Sequence, residues 1–560
     1  MNEYAAKRFF RPGDRLRTIF ASALALLSTL LFCGWAQAAP STAEQAARVV
    51  SGWLRLNAAP LNQAISRQIK EVQSFSDAAG EVMYHVVFLY PKGLVILPAD
   101  SLVEPIIGFL PEAVAYNPAQ SDPLGALVEN DVPGRVKLVR QEAPDMSSGV
   151  EKASSGAQGK WRRLETASMG LDSPNAAGLA SIADVRVAPL VQSTWGQGKA
   201  PATTGANCFN LYTPNNYDTG CVATAMAQVM RYWAYPTAGV GTASFTIEVD
   251  TVPQAASLRG GNGAGGAYNW SNMPLVPGTP SNAQCQAMGA LSYDAGVAVS
   301  MSYAAGGSGG NVGTGATALV STFMYSNAKI GHNADANIPD NFRNQMVNPS
   351  LDAGSPTIFA ILGSGGGGHA IVCDGYGYDS STMYHHLNMG WSGADNAWYN
   401  LPVYTAGFTY VSIQKVLYNL YITGTGEIVS GRITDQNGLP INGATVTASI
   451  GATTYATSTS NAYGIYALPK LPSGNTYTVA TSGAGYTFTS QSIPVGTSID
   501  NTTTTGNYWG ANFSGIPAVP VMGVGVMIAF ALLLALGGMV WRRRQSAGSR
   551  SFVTAWFCRH

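Results

Sequence analysis

Cys221 stands at the head of an apolar, alanine-rich stretch running Gly220-Cys221-Val222-Ala223-Thr224-Ala225-Met226-Ala227-Gln228-Val229-Met230. Val222, Met226, Val229 and Trp233 recur at helical spacing, which predicts one buried helix face with a cysteine at its first position. Tyr235-Pro236 ends that helix. Far downstream a glycine run, Gly365 to Gly368, leads into His369 and the apolar segment Ala370 to Cys373. A free thiol has a pKa of about 8.5 and is mostly protonated at neutral pH. The positive end of a helix dipole and a nearby imidazolium both lower that value. A cysteine at a helix start, served by a remote histidine, is therefore the arrangement of a thiol hydrolase. The blander reading is that a buried helical cysteine is a small inert hydrophobe. That reading suits Cys373, inside an apolar strand. Cys208 lies in a Thr/Asn/Pro stretch with no helix behind it and reads as structural or disulfide-bonded.

At 560 residues the chain is too long for one core, so two or three domains are expected. Charged residues make up 11% of it, and Gly, Ala, Ser and Thr take their place. The formal net charge is zero. The basic residues concentrate at the two ends, so no basic footprint for nucleic acid exists.

The N-terminus reads as a signal peptide over residues 1–38. Lys7, Arg8, Arg11, Arg15 and Arg17 precede an apolar core from Ile19 to Phe32, and Ala36-Gln37-Ala38 is a small-residue cleavage site. At the other end Val519 to Trp541 is an uncharged apolar run, long enough to span a bilayer as one helix. Arg542, Arg543 and Arg544 follow, which assigns 542–560 to a cytoplasmic tail. Residues 519–541 are thus expected to be a transmembrane or sorting segment that attaches the chain to the membrane. The location implied is secreted or cell-surface.

Between the ends, residues 41–60 show a helical pattern, and Met83 to Tyr90 with Gly93 to Leu97 form a hairpin. Residues 140–182 show no periodicity and read as an exposed linker. A second helix is expected from Ser281 to Ala298, and Gly306 to Gly315 reads as an open loop. The runs 357–362, 369–373 and 383–387 read as strands of one sheet. His385 and His386, adjacent on such a strand, face opposite ways, and no ligand spacing typical of zinc occurs, so no metal is expected. Residues 427–515 alternate short Val/Thr/Ile/Tyr runs with turn pairs such as Asn437-Gly438 and Tyr463-Gly464, the pattern of an all-β sandwich.

Several blocks together resemble the streptopain family of cysteine peptidases, papain-like enzymes. They are Trp195-Gly196-Gln197-Gly198, the stretch from Gly220 to Trp233, Gly368-His369-Ala370-Ile371-Val372, and Asn388-Met389-Gly390-Trp391-Ser392-Gly393. The resemblance implies an α+β, two-lobed papain-like domain over 186–425, preceded by an inhibitory propeptide over 39–185 whose linker, from about 140, is cut on maturation. It implies Cys221 as nucleophile, His369 as base, Gln197 as oxyanion donor, and Asn388 as the acceptor that orients His369. Trp391, Met389 and Gly368 would shield the pair or line the substrate channel. The family carries a second tryptophan where Met389 stands, so the cover of the His369–Asn388 contact is expected to be looser. Residues 427–515 resemble the carboxypeptidase regulatory-like β-sandwich through Ser430-Gly431-Arg432-Ile433-Thr434-Asp435 and Gly464-Ile465-Tyr466, and read as a spacer or adhesive module.

The expected activity is hydrolysis of protein or peptide substrates through a Cys221 thiolate and His369 imidazolium, with an acyl-thioester intermediate and no cofactor. Two alternatives share these residues. One is a surface-displayed binding protein that keeps the fold without the activity; the other is a transpeptidase that passes the thioester to an amine.

Overall fold

The computed structural model describes residues 40–142, 148–171, 184–202, 204–334, 336–362, 368–403, 412–518 and 532–543. Its first helix, α1 (Ala43–Leu56), starts at Thr42, whose side chain accepts from the Gln45 N–H at 3.2 Å. Ala46, Val49, Val50 and Trp53 form its buried face. Strands β1 (Gln68–Ser76), β2 (Val82–Tyr90), β3 (Leu94–Pro98) and β4 (Gly108–Leu110) follow as an antiparallel meander, and the expected hairpin is its middle pair.

The segment read as an exposed linker is largely helical. Helix α2 (Pro123–Glu142) opens with Pro123 at its first turn and Asp122 as its cap, whose Oδ1 accepts from the Gly125 N–H at 3.0 Å. Helix α3 (Ser148–Ser168) lies on α1, and Gly52 allows it: a Cβ there would stand 1.8 Å from the Leu164 carbonyl oxygen. Trp161 is buried and donates its indole N–H to the Val103 carbonyl at 2.8 Å. One tryptophan and one leucine in a polar stretch are enough to seat this helix, too few to register as a periodicity.

The peptidase-like part continues the meander's sheet. Its elements are β5 (Asp184–Val187), α4 (Cys221–Trp233), α5 (Asn282–Ala298), α6 (Val312–Ser321), β6 (Asn327–His332), α7 (Asp340–Asp352), β7 (Thr357–Leu362), β8 (Gly368–Asp379), β9 (Thr382–Asn388), β10 (Ala397–Tyr399) and β11 (Ile413–Tyr421). The strand order is β1-β2-β3-β4-β10-β9-β8-β7-β11-β6, with β5 paired to β8. The joint is β4 against β10, where Phe109 meets Trp398 and Gly108 meets Tyr399. Strand alternation splits the core: Ala370 and Val372 pack with α4, α5 and α6, whereas Ile371 and Cys373 pack on the opposite face with α2 and α7. α6 begins inside the glycine-rich stretch read as an open loop. Asn311 caps it, accepting from the Gly313 N–H at 2.8 Å.

Residues 427–517 form the expected sandwich of two sheets around Val429, Ile433, Val446, Leu468, Tyr477 and Phe513. It is packed on the peptidase part, not strung from it. Arg432 grips Asp184 with both guanidinium nitrogens at 2.8 and 3.0 Å. Ser430 and Tyr376 both donate to the part-buried Asp352 carboxylate, at 2.7 and 2.9 Å. Gln345 and the Trp509 backbone exchange two hydrogen bonds.

The single transmembrane helix expected over 519–541 is not borne out. No helix among the described residues is long and apolar enough to cross a membrane. The described helical residues at that end are 532–543, fewer than the ~20 that a bilayer of ~30 Å demands at 1.5 Å per residue. Residues 519–531, the signal peptide over 1–38, most of the glycine run before His369, and the tail from 544 lie outside the described residues.

Candidate active site

Gly220 takes φ +83°, a backbone region that favours glycine, and a Cβ on it would lie 2.7 Å from the Met301 sulfur. The chain can therefore turn sharply and present Cys221 as the first residue of α4. Two further glycines shape the approach. A Cβ on Gly196 would meet Ser392 Oγ at 2.4 Å, and one on Gly198 would meet Asp218 Oδ1 at 2.7 Å. Gln197 is held between them, its carbonyl accepting from the Thr219 N–H at 2.9 Å.

Cys221, His369, Gln197, Trp391 and Gly368 line one cavity of about 780 Å³. Helix α4 supplies the first, the start of β8 the second and fifth, and loops the others. Gln120 and Ser121, from the segment before α2, line the same cavity. His369 Nε2 lies 3.0 Å from the Gln120 carbonyl oxygen. A carbonyl only accepts, so Nε2 carries the proton. The expected partner, Asn388, is elsewhere engaged. Its Oδ1 accepts from Gln228 Nε2 at 3.2 Å and from the Gly390 N–H at 3.1 Å, and its Nδ2 donates to the Ser193 carbonyl at 2.9 Å. Ser193 Oγ in turn donates to Gln228 Oε1 at 3.0 Å.

The electrostatics follow from the same enclosure. Burial pushes the Cys221 thiol above its ordinary range, with the N–H groups of Ala370, Val222 and Cys221 opposing it. Burial also pulls the His369 imidazole below its usual value, against the Gln120 carbonyl and the Asp122 carboxylate. Both shifts favour the neutral thiol and the neutral imidazole over the expected ion pair. Asp122 acts on His369 through its charge, and burial raises its own carboxyl.

Met389 is not at the cleft. It is fully buried in the core beneath the sheet, with its N–H donating to Asn396 Oδ1 at 3.0 Å. Trp391 is at the cleft, and its indole nitrogen is buried without a hydrogen-bond partner. Cys208 is bonded to Cys285, and Cys221 and Cys373 are free. His385 faces Asn348 at 2.8 Å and His386 faces Asp374 at 2.6 Å, on opposite sides of β9. Sequence reasoning missed Gln228, whose signal was a polar side chain within an otherwise apolar helix. It also missed Gln120 and Asp122, for which proximity to His369 exists only in three dimensions.

Comparison with known proteins agrees with this class of domain. Residues 203–399 match the Peptidase C10 family, and residues 428–508 match the carboxypeptidase regulatory-like domain. Streptopain of Streptococcus pyogenes serotype M28 (strain MGAS6180) is 30% identical over 220 residues, which cover 35% of this chain and 52% of that protein. The thiol protease/hemagglutinin PrtT of Porphyromonas gingivalis is 31% identical over 190 residues, 34% of this chain and 21% of that one. The chain thus spans about half the length of the streptopain that it matches. Two solved structures are similar in part. A fragment of Prevotella intermedia prointerpain A aligns with a TM-score of 0.39 at 20% identity, covering 64% of this chain and 99% of the fragment. Active wild-type interpain A of the same organism aligns with a TM-score of 0.34 at 29% identity, covering 42% and 94%. The sequence resemblance to the streptopain family is borne out as a likeness: residues 203–399 match the Peptidase C10 family, and residues 428–508, matching the carboxypeptidase regulatory-like domain, follow.

Proposed function

We propose that the protein is an exported cysteine endopeptidase made as a zymogen. The observation that carries this is the shared cleft, with Cys221 at a helix start, His369 at a strand start and Gln197 beside them. In the active state the Cys221 thiolate attacks the substrate carbonyl, and its proton resides on His369. The oxyanion is held by the Gln197 side-chain amide and the Cys221 N–H. His369 then protonates the leaving amine, giving a thioester, and activates the water that hydrolyses it. Asn388 orients His369 only after the ring leaves Gln120 and Asn388 Oδ1 exchanges its contact with Gln228 Nε2 for the ring N–H.

The latent state follows from the same contacts. The Gln120 carbonyl holds the His369 proton donor away from catalysis, and burial keeps the thiol protonated. Removal of the segment up to the start of β5 would free both. The signal-like N-terminus and the Cys208–Cys285 disulfide support export into an oxidising compartment.

Incubation of the purified chain, followed by intact mass measurement, tests the assignment. The wild type is expected to shorten itself with a new N-terminus near Asp184. Cys221→Ser is expected to stay full length. Equal processing of the two removes Cys221 from the mechanism.

A further inference from the structure

The cleft carries more polar groups than peptide hydrolysis uses. Asp218 lines it three residues before Cys221. The residue is exposed to the cleft, and no described residue hydrogen-bonds or ion-pairs with its carboxylate. Gly198 is what leaves it room, since a Cβ there would press on Asp218 Oδ1 at 2.7 Å. The carboxylate therefore stands on the wall next to Gln197, the proposed oxyanion donor.

Asn210 belongs to the same wall and is 4% exposed. Its Nδ2 donates to the Asn216 carbonyl at 2.5 Å and lies 3.8 Å from the same position beside Gly198. Its Oδ1 is buried without a hydrogen-bond partner. A buried polar atom left unpaired costs free energy unless a ligand or water completes it. This wall thus presents an acceptor carboxylate that no side chain neutralises, with the unpartnered Asn210 Oδ1 buried behind it. Lys199, adjacent in sequence to Gly198, forms no ion pair with Asp218. The Cys208–Cys285 bond anchors the start of the loop that carries Asn210 and Asp218.

We infer that Asp218, with Asn210 behind it, forms a subsite for a cationic side chain of the peptide being cut, lysine or arginine. The inference rests on the peptidase reading and names its substrate class. A guanidinium or ammonium brings the several N–H donors that this wall lacks.

The test uses the self-processed protein and matched fluorogenic peptides that carry arginine or citrulline at each position flanking the cut in turn. Citrulline keeps the shape and removes the charge. At one position the arginine peptide is expected to show a kcat/KM about tenfold higher, the order expected for unit charges a few Å apart at a partly shielded site. In Asp218→Asn that ratio is expected to collapse to about one, Asp218→Glu is expected to restore much of it, and Asp218→Lys is expected to favour glutamate at the same position. Equal rates for the pair at every position overturn the subsite and leave the peptidase reading standing. So does a preference that survives Asp218→Asn. If the processed wild type cuts no peptide at all, the peptidase reading fails and the subsite falls with it.

Discussion

At the scale of single residues, reactivity here is a matter of proton positions. The Cys221 thiol is pushed up by burial, and the His369 imidazole is pulled down. Alkylation of Cys221 by iodoacetamide reads the thiolate directly. In the unprocessed Cys221-containing chain the rate is expected to keep rising with pH beyond the ordinary thiol pKa of about 8.5. After processing it is expected to level off at a lower pH, because His369 is then free to share the proton. Identical profiles before and after would mean that the pro-segment does not set the thiol's protonation. The role of Gln197 makes a second expectation at this scale. Gln197→Ala should lower kcat by about 10²–10³ with little change in KM, as loss of one oxyanion donor does. A loss of less than about threefold would take Gln197 out of that role.

Elements decide where the segment before β5 lies. Helix α2 is pinned to the peptidase part by Arg135, which donates to the Asn400 side chain and backbone at 2.8 and 2.6 Å and pairs with the buried Asp131 at 2.7 Å. Tyr399 donates to the same Asp131 at 2.9 Å, and Asn130 reaches the Leu362 carbonyl. With α2 fixed, its preceding residues, Gln120 to Asp122, have little choice but the cleft. Helix α3 is seated on α1 and Val103 through Trp161. Trp161→Ala, made in the Cys221→Ser background, is expected to destabilise the pro-region by about 3–5 kcal/mol, as truncation of a buried tryptophan does. Limited proteolysis across a urea series would show it as earlier loss of residues before 184. Unchanged protection would mean that α3 contributes nothing to the seating of the segment.

On the scale of the whole molecule, the β-sandwich is packed against the α/β part that precedes it. Asp352 lies between the two, accepting from Ser430 and Tyr376, and burial raises its carboxyl to about 7 against the hydrogen bonds of those two groups and the charge of Arg186. A carboxyl whose folded value exceeds its unfolded value of about 3.9 holds more protons folded than unfolded between those two pH values. Stability conferred by this group is therefore present at low pH, declines as pH rises from about 4 to about 7, and levels off above, at about 1.4 kcal/mol for each unit. Asp352→Asn is expected to flatten that part of a Tm-against-pH curve in the Cys221→Ser chain. A slope that is the same in both proteins would show that Asp352 does not couple the domains to pH. The Arg432–Asp184 clamp sits where β5 begins, so a chain cut just before residue 184 keeps its new end tied to the sandwich.

The helix behind Cys221, the hairpin, the sheet strands at 357–362 and 382–388 and the sandwich were all legible in the sequence, because each is a local pattern of apolar spacing and turn residues. Cys221, His369 and Gln197 were legible for a related reason: glycine and helix-start chemistry surrounds each of them within a few residues. The linker was misread because α3 owes its order to contacts with α1 and Val103, not to its own composition. The expected membrane span is not borne out: among the described residues no helix is long and apolar enough to cross a membrane. Only the tertiary structure decided that His369 faces Gln120 instead of Asn388, and that Asp218 stands unpaired beside Gln197. Those facts depend on which remote segments share a cleft, and the burial that sets a proton's position is a property of that enclosure.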